Sequence, residues 1–262
     1  MLINAVPQSQ GSTSPRAGEL AGGCLALAEL AGSVLGLPVN RVPQSAAASP
    51  TVDGVANREV LLANRAAQLA ALEAPEGPVL TIGGDCGVDL IPIGVAQFRY
   101  RGLAVAWFDA HADLNTAESS PSGAFHGMVL RSLFGQGDAE FAASPALERA
   151  VLIGTRVFDP AEQEAVESGL VTQASAETVV EALGGAENVY LHVDLDVLDP
   201  GEFSGVGYPE AGGLTIDQLV AAIRSLSAVP VVGAAITECL ATGPELRALV
   251  PVIEAIGAAL GS

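Results

Sequence analysis

Short apolar, often β-branched runs recur along the chain at residues 2–6, 38–42, 79–82, 103–108, 150–153, 189–193 and 231–236. Between them lie longer Ala/Leu-rich stretches with the wider periodicity of helices, clearest at 19–35, 58–72, 216–226 and 244–260. Runs of this length without polar alternation read as strands buried on both faces. Their alternation with helical segments predicts an α/β fold with a mainly parallel sheet covered by helices on both sides. A weaker candidate strand at 170–172 brings the sheet to about eight strands. The loops at 8–17 and 44–53 are too short to act as linkers, so residues 1–262 are expected to form a single domain.

Composition narrows what such a domain can do. Half of the 262 residues are hydrophobic, which guarantees a large core, and the mean hydropathy is +0.43. No uninterrupted apolar run approaches the ~20 residues of a membrane span; the uncharged stretch 225–237 contains Pro230 and reads as a loop followed by a buried strand. The first residues lack a basic segment followed by an apolar one, so no secretory signal is expected. Cys24, Cys86 and Cys239 are odd in number and far apart, which fits reduced thiols and a cytoplasmic location. A net charge of −19 argues against nucleic acid or anionic membranes as partners. The chain contains no lysine, which excludes Schiff-base and lysine general-base mechanisms.

Chemistry concentrates just after four of the predicted strands, at Gly83 to Cys86, Asp109 to Asp113, Asp194 to Asp199, and Glu238. Asp109-Ala110-His111-Ala112-Asp113 follows the run 102–108 directly. An extended backbone turns alternate side chains to one face, so two carboxylates and an imidazole can converge there. The segment from Tyr190 to Pro200 repeats the logic with Asp194 and Asp196, and His192 stands two residues before Asp194. A single cluster of this kind could be solvated acids at a strand end. Two of them, together carrying few imidazoles, suit hard or borderline divalent ions such as Mn²⁺ and suggest a binuclear centre.

The segments Gly83-Gly84-Asp85, Asp109 to Asp113, His126-Gly127-Met128 and Asp194-Leu195-Asp196-Val197-Leu198-Asp199-Pro200 resemble, in order and separation, those of the ureohydrolases, the arginase and agmatinase family. The resemblance runs from the Asp85 region to Glu238. It implies a three-layer α/β/α fold, two Mn²⁺ per subunit that activate a bridging hydroxide, a small guanidino substrate, and a homo-oligomer, trimer or hexamer. It further implies that Asp109 and Asp194 bridge the ions, that Asp113 completes one site, and that His111 and Asp196 complete the other. His126 matches the proton-transfer histidine, whose neutral-range titration suits that work, and Glu238 matches the carboxylate that holds the guanidinium.

At the substrate's other end, Asn115, Ser120 and Ser122 match arginase positions that hold an α-carboxylate, while Ala124 replaces an expected asparagine. Asp159 and Glu162 match those that receive the α-ammonium, although both acids could also serve the start of a helix after Pro160. An α-amino acid substrate, L-arginine or a derivative such as Nω-hydroxy-L-arginine, is therefore expected, giving L-ornithine and urea or hydroxyurea. Agmatine, other guanidino acids and formiminoglutamate are the alternatives within the family. Cys86 stands where the family supplies a histidine ligand. Either it coordinates as a soft thiolate poorly matched to manganese, or it is a small buried residue and one metal site is lost, leaving a non-catalytic amino-acid-binding relative.

Overall fold

A computed structural model of the chain describes residues 1–73 and 77–261. Its elements are β1 (Leu2–Val6), α1 (Ala17–Leu35), β2 (Val39–Arg41), α2 (Arg58–Glu73), β3 (Val79–Gly83), α3 (Leu90–Arg99), β4 (Leu103–Phe108), α4 (Val129–Leu133), β5 (Ala150–Ile153), α5 (Pro160–Glu167), β6 (Thr172–Ala174), α6 (Val179–Leu183), β7 (Asn188–Asp194), α7 (Ile216–Ser225), β8 (Val231–Thr237) and α8 (Val250–Leu260). The eight strands form one sheet in the order β2-β1-β3-β8-β7-β4-β5-β6. Every pairing is parallel, so the sheet is wholly rather than mainly so.

Strand alternation divides the core into two layers. Ala104, Ala106 and Phe108 of β4 pack with Leu27, Leu219 and Ile253 from α1, α7 and α8. Val105 and Trp107 face the other way, against Ile93, Leu130 and Ala165 from α3, α4 and α5. By length and composition α1 could cross a bilayer, which the search for unbroken apolar runs did not anticipate. In the fold it is a core helix, with Leu20, Cys24, Leu27, Ala28 and Ala31 buried.

The strand pattern was the more legible part. The edge strand β6 lies two residues beyond its predicted place because its Thr172 and Gln173 are exposed, and an edge position needs no apolar run. The short helices α4 and α6, five residues each, are too brief to display a helical period. Residues 244–260 are divided, with a 3-10 segment (Pro244–Leu249) preceding α8.

The sheet order places β3, β8, β7 and β4 side by side at its centre. The chain leaves β3 and next adds β4 on the far side of β8 and β7, which opens the crevice where ligands gather in such sheets. Gly84, just past β3, is fixed by close contact. A Cβ there would lie 1.8 Å from the Gln8 carbonyl oxygen, while its own N–H donates to Val6 (3.0 Å) and the next N–H donates to Gln8 (3.0 Å). Backbone cannot swing away as a side chain can, so Gly84→Ala is expected to cost about 1–3 kcal/mol. Scanning calorimetry should record a fall in Tm of roughly 2–12 °C.

Candidate functional site

The C-terminal ends of the four central strands deliver the acidic residues to one place. Phe108 pairs with Val193 and Asp194 with Thr237, so Asp109, Asp194 and Glu238 leave the sheet nearly abreast. Glu238 is turned inward by a left-handed backbone (φ 62°), and Asp113 adopts the same unusual conformation (φ 53°). Such conformations are strained for non-glycine residues and cost of order 1–3 kcal/mol, held here by the surrounding structure. The Glu238 N–H donates to Gly84 (2.7 Å), which secures its bend.

A dense hydrogen-bond set orients the cluster. Asp109 accepts from the His111 N–H (2.7 Å) and from Trp107 Nε1 (3.0 Å). His111 Nδ1 lies 3.0 Å from Asp196 and 3.6 Å from Asp109. Asp196 also accepts from the Ala110 N–H (3.1 Å), and Asp194 accepts from the Asp196 N–H (2.8 Å). The Cys86 thiol donates to the other Asp194 oxygen (3.0 Å). His126, in the 3-10 segment Phe125–Met128, places Nδ1 3.0 Å from Glu238.

Charge is severely unbalanced. Asp85, Asp109, Asp113, Asp194, Asp196 and Glu238 are each no more than 5% exposed. Among the described residues no arginine side chain bonds to these carboxylates; Arg156 instead donates to the backbone carbonyls of Gly154, Asp196 and Glu210. Burial, reinforced by the charge of Asp109, pushes the Asp113 carboxyl well up. Burial with Asp196 and Asp109 does the same to Asp194, and burial with Asp196 brings Asp109 to about 6. Burial opposes charge on His111, but its hydrogen bonds to Asp109 and Asp196 prevail and raise it to about 12. One Asp113 oxygen is buried with no hydrogen-bond partner among the described residues. Crowded buried carboxylates and an orphaned oxygen are what a site for divalent cations requires. Among the described residues three sets of donors lie close enough to share an ion: Asp109 with His111 and Asp196, Cys86 with Asp194 and Glu238, and Cys86 with Asp109 and His192.

A cavity of about 210 Å³ opens beside this cluster. Asp113, Asp194, Asp196, His111, His126 and Glu238 line part of it. Asn115, Ser120, Ser122, Asp159 and Glu162 line the rest, so eleven of the thirteen residues picked from sequence face one space. Cys86 and Asp109 are buried and do not line it. Asn115 donates to Asp159 (2.8 Å) and accepts from Ser119 (2.8 Å), an orienting contact that sequence reasoning did not name. Glu162 accepts from the N–H groups of Leu114 (2.9 Å) and Asp159 (2.8 Å), so it braces the start of α5 and the 113–115 turn. Ser120 and Ser122 lie 3.4 Å apart at the outer rim. Asp199 stands apart, accepting from Gly201 and Gly212 and so shaping the loop above. That loop delivers Tyr208, whose ring lies 5.7 Å from His126 and 6.2 Å from His111. Nothing in the sequence marks Tyr208 beyond an aromatic in a Gly/Pro-rich loop.

The model of the family described as "Arginase family" matches residues 13–243. The Nω-hydroxy-L-arginine amidinohydrolase of Streptomyces lavendulae is 32% identical over 198 residues, covering 73% of this chain and 71% of that protein. The arginase of Bacillus caldovelox is 34% identical over 175 residues, covering 60% of this chain and 58% of the relative. In sequence the chain thus spans little more than half the length of the arginases it matches, 58% and 52% for those of B. caldovelox and Bacillus subtilis. In three dimensions the native B. caldovelox arginase superposes with a TM-score of 0.85 at 27% identity, over 99% of this chain and 97% of that one.

Proposed function

Because the chain belongs to the arginase family, we propose that it hydrolyses the guanidino group of L-arginine or a derivative such as Nω-hydroxy-L-arginine, releasing L-ornithine and urea or hydroxyurea. The observation that carries this reading is the cavity itself, which His126, Glu238 and the buried carboxylates Asp113, Asp194 and Asp196 line together with Asp159 and Asn115. One divalent ion would be held by Asp109, His111 and Asp196, and a second by Cys86, Asp113 and Asp194, with Asp109 and Asp194 shared. The oxygen-rich donors of the first position suit manganese, whereas the sulfur of Cys86 at the second is a softer ligand. Such ions supply the Lewis acidity that makes water a nucleophile near neutral pH.

The chain's own residues do the rest. Glu238 pairs with the planar guanidinium and holds its carbon over the carboxylate cluster. His126, hydrogen-bonded to Glu238, hands a proton to the departing amino group. Tyr208 covers both from the loop above and restricts water. Asp159, oriented by Asn115, receives the α-ammonium, and the Ser120 and Ser122 hydroxyls meet the α-carboxylate. Bound as a thiolate, Cys86 would add negative charge and weaken the Lewis acidity available. A substrate more reactive than arginine answers that loss.

The test is a panel of guanidino compounds with the metal-loaded protein, reading ornithine and urea or hydroxyurea. Nω-hydroxy-L-arginine should turn over faster than L-arginine, and Cys86→His should narrow the gap. A wild type that strongly prefers plain arginine overturns the hydroxy-substrate reading. Asp159→Ala should raise KM for α-amino substrates by roughly 10–100-fold, the worth of a charge-assisted hydrogen bond, with kcat little changed. An agmatine-specific enzyme would be indifferent to it. The trimer or hexamer implied by the family is checked by light scattering.

A further inference from the structure

His192 is the one histidine that the proposed reaction leaves unused, and it is wholly buried. It follows Tyr190 and precedes Asp194 on the same face of β7, one step below the acidic cluster. Three contacts fix its ring. The ring stacks on Trp107 at 3.4 Å and 9°. Nδ1 lies 2.6 Å from Asp89, itself wholly buried and held from the other side by the Tyr190 hydroxyl (3.2 Å). Nε2 points at the Cys86 sulfur, 3.7 Å away.

From this we infer that His192, backed by Asp89, is a direct ligand of the ion beside Cys86, so the imidazole missing at position 86 is supplied from position 192. The inference rests on the two-metal reading above. Cys86, Asp109 and His192 each offer a donor atom within 4.8 Å of the others. An ion bound ~2.3 Å from sulfur and ~2.1 Å from nitrogen at a tetrahedral angle holds those atoms ~3.6 Å apart, close to the distance observed. With Nδ1–H donating to the Asp89 carboxylate, the Nε2 lone pair is left facing the ion, the arrangement that orients metal-binding histidines. Asp109 then joins this position to the one formed with His111 and Asp196. A thiolate–imidazole–carboxylate set suits a borderline ion such as Zn²⁺ or Co²⁺ better than Mn²⁺, so the centre would hold two different metals. Binding releases the Cys86 proton to solvent.

Anomalous diffraction from zinc-loaded wild-type crystals tests this without any substitution. The expected result is an ion ~2.0–2.1 Å from His192 Nε2 and ~2.3 Å from Cys86 Sγ. An inner ion lying beyond bonding distance of Nε2 overturns His192 ligation and leaves the two-metal reading intact, whereas a protein that takes up no ion overturns both. In solution, cobalt titration of Asp89→Asn should weaken one of two equivalents about 10–100-fold while the sulfur-to-cobalt absorption band persists. His192→Ala should weaken the same equivalent further. Two equivalents bound with wild-type affinity by a folded His192→Ala protein also overturn the ligation.

Discussion

Asp194→Asn should lower kcat/KM by at least ~10³-fold, on the scale of losing a main electrostatic element of an active site. Bound metal should fall from two equivalents to one or fewer, measured by elemental analysis after desalting. Asp194 is the hinge of the cluster, receiving the Cys86 thiol on one oxygen and the Asp196 N–H on the other. An amide in its place keeps the volume but loses the charge that would be shared between two cations. Stability moves in opposite directions with and without metal. At a free-ion concentration of ~100 Kd, metal stabilises the wild type by about 2.7 kcal/mol, or roughly 5–11 °C in Tm; the variant should lose much of that gain. In the chelated protein, burial and the neighbouring Asp196 and Asp109 hold the Asp194 carboxyl well above its ordinary range. A carboxyl raised on folding supports stability below its unfolded pKa and withdraws that support as pH rises. The chelated wild type should therefore weaken from about pH 4 upward, and chelated Asp194→Asn should weaken less. A variant that retains both ions and full turnover would remove Asp194 from the metal centre.

The parts of this architecture that could be read in advance are those where one strand's local alternation decides the outcome. Asp109 and His111 at the end of β4, and Asp194 and Asp196 at the end of β7, follow buried runs whose register the sheet then aligns. Glu238 needed the fold as well, because only the inward turn at φ 62° brings it to His126. The Asp89 and His192 pair was beyond reach for a different reason. Asp89 lies in the turn between Cys86 and α3, and its partner is 103 residues away with no shared pattern. Glu162 shows how a correct placement can leave a role undecided. It lines the cavity as expected, yet its two oxygens serve the backbone of Leu114 and Asp159, so the helix-start alternative and the cavity position are both realised.

Glu238→Gln should reduce kcat/KM by about 30- to 4,000-fold, as losing one member of a desolvated charge pair costs roughly 2–5 kcal/mol, and should also move the pH profile. The substitution preserves the side-chain oxygen that accepts from the Cys86 N–H (3.2 Å), so the fold around the bend is kept. It removes the negative charge that would face the guanidinium and that now faces His126. Burial alone would lower the pKa of His126; the charge of Glu238 and its hydrogen bond, with a smaller contribution from Asp85, outweigh burial and raise it. With that charge gone, burial prevails and the imidazole loses its proton at lower pH. A mechanism in which His126 must arrive protonated then loses the upper part of its active range, and the alkaline limb of kcat shifts downward in pH. An increase in KM with the alkaline limb unmoved would mean that Glu238 binds substrate but His126 is not the acid. Movement of both means that one carboxylate holds the guanidinium and keeps the neighbouring histidine charged for the step that follows.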